Sequence, residues 1–440
     1  MFLKLFNLLI LNLSQSYAPN YFICIKRNLY IQRIFLSFYY LKYVSKKFLL
    51  LNFFIEITSI FISLLFFPIA ILLKILNYRI ASVDFLNFGN YTIESDLILK
   101  NLINRGLKYK ILVYCPINFN NQAINNLVFS NYFIIFKNIY IGYLLAVLRF
   151  YNFLKIEFFP REVLFEYYYN YNNLRHISQK RPKISFINHK IKNFNDIYSQ
   201  SREYFRKRNI KVDYSRIIKN QGDNIVTFYS RNITSKSDLI RNSNINNFKK
   251  SISYLLKKGF KVVVALNFND FNYKKFIKNK KLIYLNLDKF KHHIKLIEYI
   301  FASKFFIGSS GGPQHVAEIF DKESLILDVP NILMVRSYLK SYVIPTLFKD
   351  YNSKRFIKYS SVDKRVLLNA SSFYSIINKN KKILAIHNNS SDIFLSVKYM
   401  INHKIEKTYC LKLKAFPKNS WMQYTCYPFY KKYKSLIINV

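Results

Sequence analysis

The segment Gly308-Ser309-Ser310-Gly311-Gly312-Pro313-Gln314-His315 gathers three of the chain's eight glycines beside two hydroxyls, a proline and an imidazole. A loop of this kind is suited to holding an anion. The glycines let a phosphate approach the main chain, while free N–H groups and the hydroxyls of Ser309 and Ser310 donate hydrogen bonds. Pro313 fits the first turn of a helix, whose positive end then faces the ligand. His315, about one turn into that helix, is placed to contact a phosphate or a ribose. The competing reading is a tight strand-to-helix turn with a packed histidine. The spacing is neither G-x-G-x-x-G nor a P-loop, since no Gly-Lys-Ser/Thr follows.

Cations stand ready upstream. The alternating stretch 225–230 delivers Arg231-Asn232 at its carboxyl end, the edge at which open α/β sheets place ligands. Arg241 follows ten positions later, and a guanidinium suits phosphate by its fork of donors. A solvated surface charge is the plainer account of either arginine in a chain this basic. Cys24, Cys115, Cys410 and Cys426 are far apart, with no C-x-x-C pair and no Cys/His spacing suited to zinc. Neither a metal site nor a disulfide framework is expected, and reduced thiols fit a cytoplasmic compartment.

These residues need a parallel sheet to position them. Apolar residues at Ile245, Phe248, Ile252, Leu255 and Leu256 share one helical face that ends at Gly259, with Ser243 expected as N-cap. Residues 260–266 read as a continuous buried strand, 282–287 as another, 294–301 as a helix, 304–307 as the strand entering the glycine loop and 324–328 as the next strand. This alternation predicts a doubly wound domain. Earlier, 79–88 reads as a strand broken at Gly89-Asn90, 93–102 as a helix, 109–115 as a strand and 122–128 as the start of a helix. Residues 183–187 are a further strand candidate and 197–208 a basic helix. The expected division is an apolar helical extension over 1–78, a first Rossmann-like domain over 79–215, a second over 216–375, and a tail over 376–440. Within the tail, 392–400 reads as an amphipathic helix and 427–433 is aromatic and basic.

Charge and hydropathy set the context. Sixty-eight Lys and Arg face 23 Asp and Glu, a balance that attracts nucleic acid, anionic lipid or phosphorylated substrates. The lysines are spread along the whole length, which argues against nucleic acid. Residues 2–18 have a leader-like outline that Asn7 and Asn12 interrupt. The apolar run 48–73 carries Glu56 alone as a charge, and Pro68 makes a clean span doubtful. Glu56 is also the sole acid in 1–83, against a series of lysines and arginines. Aromatic, apolar helices with basic flanks suit the anionic inner face of the plasma membrane, with a buried helical extension as the alternative. The expected location is therefore cytoplasmic, peripheral to or anchored at that face.

The run 308–317 with the following strand resembles the donor-binding loop of GT-B glycosyltransferases, in particular the heptosyltransferase-like group with its Ser-Gly-Pro-x-His-x-Ala run. The chain also resembles a family of bacterial surface-polysaccharide glycosyltransferases, at the Arg231 strand, Arg241-Asn242-Ser243, the Gly259 turn, 305–311 and the late helix near Asp392. The resemblance implies an α/β fold of two Rossmann-like domains in the GT-B arrangement, with the carboxyl-terminal helix returning to the first domain. It implies a metal-independent hexosyl- or heptosyltransferase that takes a nucleotide diphosphate sugar as donor and a surface glycan, such as lipopolysaccharide, or a lipid-linked molecule as acceptor. No cofactor beyond the donor is implied. Arg231, Arg241, Asn242, Gly308, Ser309, Ser310, Gly311, Gly312 and His315 would then bind the donor. An acceptor hydroxyl needs a base, for which Glu94, Asp96 and Asp84 are the candidates. Two departures stand out: Asn232 where an aspartate is expected, and Asn90-Tyr91 in place of a His-Leu type of pair. They keep open an inactive transferase-fold scaffold, beside a non-enzymatic RNA- or membrane-binding protein using the basic surface.

Overall fold

The computed structural model describes residues 61–62, 64–81, 88–89, 91–92, 95–96, 110–114, 124–125, 129, 132–148, 224–232, 239–266, 277–320, 322–330, 341–362, 383–402, 410–412 and 422–437. The chain divides into two compact units, residues 1–173 with 196–212 and residues 174–195 with 213–440. The expected leader at 2–18, the first part of the apolar run 48–73, the strand at 183–187 and the helix at 197–208 lie outside the described residues.

In the first unit, helix α1 (Phe67–Ile75) opens with Pro68 in its first turn, where a missing N–H does no harm. It stops at Asn77, whose φ of 58° is the left-handed conformation that ends many helices. Strands β1 (Tyr78–Ala81), β2 (Lys110–Tyr114) and β3 (Phe133–Phe136) form a parallel sheet in that order. Helix α2 (Ile139–Leu148) follows, and Gly142 packs where any Cβ would meet the Tyr114 ring at 2.4 Å. Two expectations change here. Of the strand expected over 79–88, residues 79–81 lie in β1 and 82–87 lie outside the described residues, while Phe88-Gly89 is helical where the strand's end and a turn were expected. The pair β3 and α2 was not anticipated, because that segment is apolar nearly throughout and shows no period to read.

The second unit is built on an eight-stranded sheet. Six strands run parallel: β4 (Ile225–Tyr229), β5 (Lys261–Leu266), β6 (Leu282–Asn286), β7 (Phe305–Ser309), β8 (Glu323–Val329) and β9 (Ser341–Pro345). Their spatial order is β9-β8-β7-β4-β5-β6, so the chain winds outward one way through β4, β5 and β6 and the other way through β7, β8 and β9. That is the strand order of a doubly wound dinucleotide-binding sheet, and it makes β4 and β7 the neighbours where the winding reverses. Short strands β13 (Cys410–Lys412) and β14 (Met422–Tyr424) extend the β9 edge. Between β9 and β13 in sequence, β10 (Leu347–Asp350), β11 (Phe356–Ile357) and β12 (Ile383–Ile386) make a small separate antiparallel sheet.

Helices cover both faces of the large sheet. Helix α3 (Lys249–Lys257) packs on β5 and α6 (Ser390–Asn402) on β8, while α4 (Phe290–Ala302) and α5 (Gly312–Ile319) pack against β4, β6, β7 and β8. The core joins Val226, Phe228, Val262, Val264, Ile307 and Leu325 from the sheet to Phe248, Ile252 and Leu255 from the helical layer. Alternate strand residues therefore serve opposite layers, and β4 is buried along its whole length. Thr227 turns the other way, toward α4, where its hydroxyl lies 2.6 Å from that of Ser303. Helix α7 (Tyr427–Ile437) packs on α6 within this second unit. A buried carboxylate holds the two together: Asp392 accepts from Lys432 Nζ at 2.7 Å and from the Tyr433 hydroxyl at 2.8 Å.

Candidate functional site

The glycine loop leaves β7 at the carboxyl edge of the sheet, directly beside the end of β4. Tyr229 is paired with Gly308, so Ser230 and Arg231 stand level with Ser309 and Ser310. A Cβ on Gly308 would lie 2.6 Å from the Tyr229 carbonyl oxygen and 2.9 Å from its Cβ, which is why only glycine fits. Gly311 has an extended backbone, φ 164° and ψ −167°, and precedes the first residue of α5. Its missing Cβ makes room for the Arg231 guanidinium, whose Nη1 would be 3.1 Å away from one. Glycine chemistry thus sets the two close approaches on which this edge depends.

Hydrogen bonds join three segments into one platform. The Arg231 main-chain N–H donates to Ser309 Oγ at 3.3 Å, and Ser309 Oγ donates to Ser243 Oγ at 2.6 Å. The Ser230 hydroxyl donates to the Ser243 carbonyl at 3.2 Å, and Ser243 N–H returns a bond to the Arg231 carbonyl at 3.0 Å. Arg241 closes the set, with Nε donating to Ser310 Oγ at 3.4 Å and Nη2 to the Ser310 carbonyl at 3.3 Å. Both sequence-derived arginines therefore meet the glycine loop, and Arg231 is largely buried at 8% exposure. A buried guanidinium at Arg231 and a half-buried one at Arg241, beside a helix amino terminus, make a positive edge. Asn242 lies between Arg241 and Ser243 on the same segment, half-buried.

Ser243 does not cap the following helix, as its position suggested. Asn244 does this, its side chain accepting from Asn246 N at 3.0 Å ahead of a 3-10 turn at Ile245–Phe248. The serine hydroxyl is engaged instead by Ser230 and Ser309 across the sheet edge, a use that local sequence cannot reveal. His315 is held by Glu318, which its Nδ1 meets at 3.0 Å, and Gln314 Nε2 donates to the same carboxylate at 2.8 Å. Both partners are nearly closed off, with the imidazole 14% and the carboxylate 1% exposed.

Of the acidic candidates, Asp96 is buried at 1% exposure, while Asp84 and Glu94 lie outside the described residues. Among the described residues, no group of three or more His, Cys, Asp or Glu is placed to hold a metal ion.

A second cluster at this edge escaped the sequence reading. β8 breaks its register between Ile326 and Val329, and Asp328 takes a φ of 51°, strained for a residue with a side chain. Asp328 Oδ1 accepts from Asn388 N at 2.6 Å, and Asp328 N donates to Asn388 Oδ1 at 2.7 Å. His387 Nδ1 lies 3.6 Å from the same Oδ1, and that carboxylate raises the imidazole pKa above its ordinary value. Asp328 and Asn388 are 60 residues apart, too far for any local pattern to link them.

No protein-family model matches the chain, and no curated protein matches it. Solved structures similar to it include the E. coli ADP-heptose lps heptosyltransferase II, at 12% identity over 69% of this chain and 99% of that one, with a TM-score of 0.34. The glycosyl transferase family 9 structure from Veillonella parvula is 10% identical over 68% of this chain and 96% of that one, with a TM-score of 0.32. S. aureus MnaA with UDP is 12% identical over 57% of this chain and 78% of that one, with a TM-score of 0.28. At such scores the strand order and the edge geometry, and not these likenesses, are the grounds for a functional reading.

Proposed function

We propose that the second unit binds a nucleoside-diphosphate sugar where the winding of its sheet reverses, and that the chain transfers the sugar to a glycan or lipid-linked acceptor. The observation that carries this reading is the convergence of Arg231 and Arg241 on the Ser309–Ser310–Gly311 loop at the β4/β7 edge. In doubly wound sheets a diphosphate seats at that crevice, on main-chain N–H groups and a helix amino terminus. The same groups stabilise the charge that develops as the diphosphate leaves. Two guanidinium groups supply that charge without a divalent cation, so we expect transfer to persist in EDTA. The acceptor hydroxyl needs a base, and Asp84, Glu94 and Asp96 are the carboxylates to test.

The reading extends to where the chain works. Helix α1 and the turn before it leave Phe61, Leu64, Leu65, Leu72 and Ile75 exposed, Leu65 at 78%, and carry Lys74 as their charge. Among the described residues no helix is long and apolar enough to cross a membrane. An exposed apolar helix in a chain of net charge +45 supports docking at an anionic bilayer surface, the setting of a lipid-linked acceptor.

Calorimetry against UDP-glucose, ADP-glucose, GDP-mannose and the free nucleoside diphosphates tests the donor site. Binding by the wild type that disappears in Gly311→Asp and Arg231→Ala supports the proposal. Salt-sensitive nucleic-acid binding that survives both substitutions, with no nucleotide bound, refutes it and favours a non-enzymatic basic protein. Donor binding without transfer or hydrolysis would instead identify an inactive scaffold of the same fold.

A further inference from the structure

The Asp328–His387–Asn388 cluster lies outside the glycine loop and both arginines, yet it stands on the same edge of the sheet. Register fixes its place. Ser309 pairs with Leu327, so Asp328 is level with Ser310, the residue that Arg241 grips. Neighbouring strands are about 4.8 Å apart. The 3-10 turn Leu239–Arg241 packs on β8, and Asn247, at the start of the α3 layer, donates to the Asn388 carbonyl at 2.8 Å. Arg241 therefore reaches Ser310 from an element that packs on β8, the strand that carries Asp328, and Asp328 holds His387.

The division of labour inside the cluster is informative. Asn388 alone suffices to fasten the β12–α6 loop: it exchanges two hydrogen bonds with Asp328 and donates a third to the Pro345 carbonyl at 3.1 Å. His387 adds nothing to that fastening beyond its contact with Asp328. Its side chain stays 39% exposed while the aspartate is 1% exposed. A buried carboxylate behind a half-exposed imidazole fixes the ring and favours its charged form, and the second ring nitrogen then presents an N–H. Other charges on the elements packed here include Arg241, Glu323 on β8, Lys349 and Asp350 on β10, and Asp392 and Lys398 on α6, of which Asp392 is paired with Lys432.

Building on the donor site proposed above, we propose that His387, oriented by Asp328, is a third cationic contact for the donor's diphosphate, beside Arg231 and Arg241. Asp328 acts through His387 and is a positioning residue. The strained backbone at Asp328 has a use on this account, since the bulge turns its carboxylate toward the β12–α6 loop.

The test compares wild type, His387→Ala and His387→Arg for UDP-glucose, ADP-glucose and GDP-mannose binding by calorimetry from about pH 5.5 to 8.5, a range centred on imidazole titration. In these probes both phosphates are already ionised, so a pH trend reports on the protein. Wild type should bind more tightly as pH falls. His387→Ala, folded by circular dichroism, should lose about tenfold or more in affinity at the acid end together with the trend, as expected for removing a charge-assisted hydrogen bond. His387→Arg should keep affinity and lose the trend, a rescue that a merely structural role would not give. If His387→Ala binds as the wild type does at every pH while Arg231→Ala does not bind, the inference fails and the donor site stands. If the wild type binds none of the probes, both fall.

Discussion

Replacing Gly308 by alanine is the sharpest test of how the candidate site is built. The added methyl would sit 2.6 Å from the carbonyl oxygen of Tyr229, 2.9 Å from its Cβ and 3.1 Å from its nitrogen. Comfortable carbon contacts begin at about 3.5 Å, so the overlap approaches an ångström. Two of the three neighbours are main-chain atoms of the paired strand and cannot rotate away. The ends of β4 and β7 must move apart, stretching the ladder at Tyr229–Gly308 where it feeds the loop. Overpacking of this kind removes about 1–3 kcal/mol. For a unit of this size that lowers the melting temperature by roughly 2–12 °C. Gly311→Ala is the matched control. Its methyl would press only on the far end of the Arg231 side chain at 3.1 Å, with the Tyr229 ring at an ordinary 3.7 Å, on a backbone any residue adopts. Stability should then stay within about 0.5 kcal/mol, while nucleotide affinity falls because the guanidinium is displaced. Thermal melts and calorimetry on both variants give the answer. A Gly308→Ala protein that melts with the wild type would refute the claim that close strand approach dictates glycine there.

Three other outcomes follow from the second unit. Asp392→Ala should destabilise it by about 1–3 kcal/mol in chemical denaturation, since the Tyr433 hydroxyl, the Asn389 amide and Lys432 lose their shared acceptor between α6 and α7. The His387 pKa is raised in the folded chain, so its contribution to stability is complete below the unfolded value of 6.5 and disappears as pH rises through the higher folded one. The difference in melting temperature between wild type and His387→Gln should accordingly shrink with rising pH, and a constant difference would count against the Asp328 pairing. Burial pushes the Cys426 thiol well above its ordinary range, and its Sγ donates to the Ser396 carbonyl. It should resist alkylation at neutral pH until the unit unfolds, which mass spectrometry of native and denatured protein would show.

What can be read from the chain alone is whatever local pattern specifies. Apolar periodicity located β4 to β8 and their helices to within a few residues, because strand and helix periods are properties of consecutive side chains. The glycine cluster marked its loop because tight turns and close approaches leave few alternatives to glycine. Local pattern misled where a side chain had a distant use. Ser243 had the look of an N-cap and serves as a bridge to Ser309, 66 residues away. Asp392 likewise meets Lys432 and Tyr433, some 40 positions on.

Only the tertiary structure decided that β4 and β7, separated by the whole of β5, β6 and α4, lie side by side. That adjacency turns two scattered arginines and a serine-glycine loop into one positive edge. Strand order and register are chosen by the best burial of all the faces at once, a property of the collapsed chain, and no window of neighbouring residues contains it. The sequence determined the chemistry that could be gathered; the packing of the sheet determined which of it was.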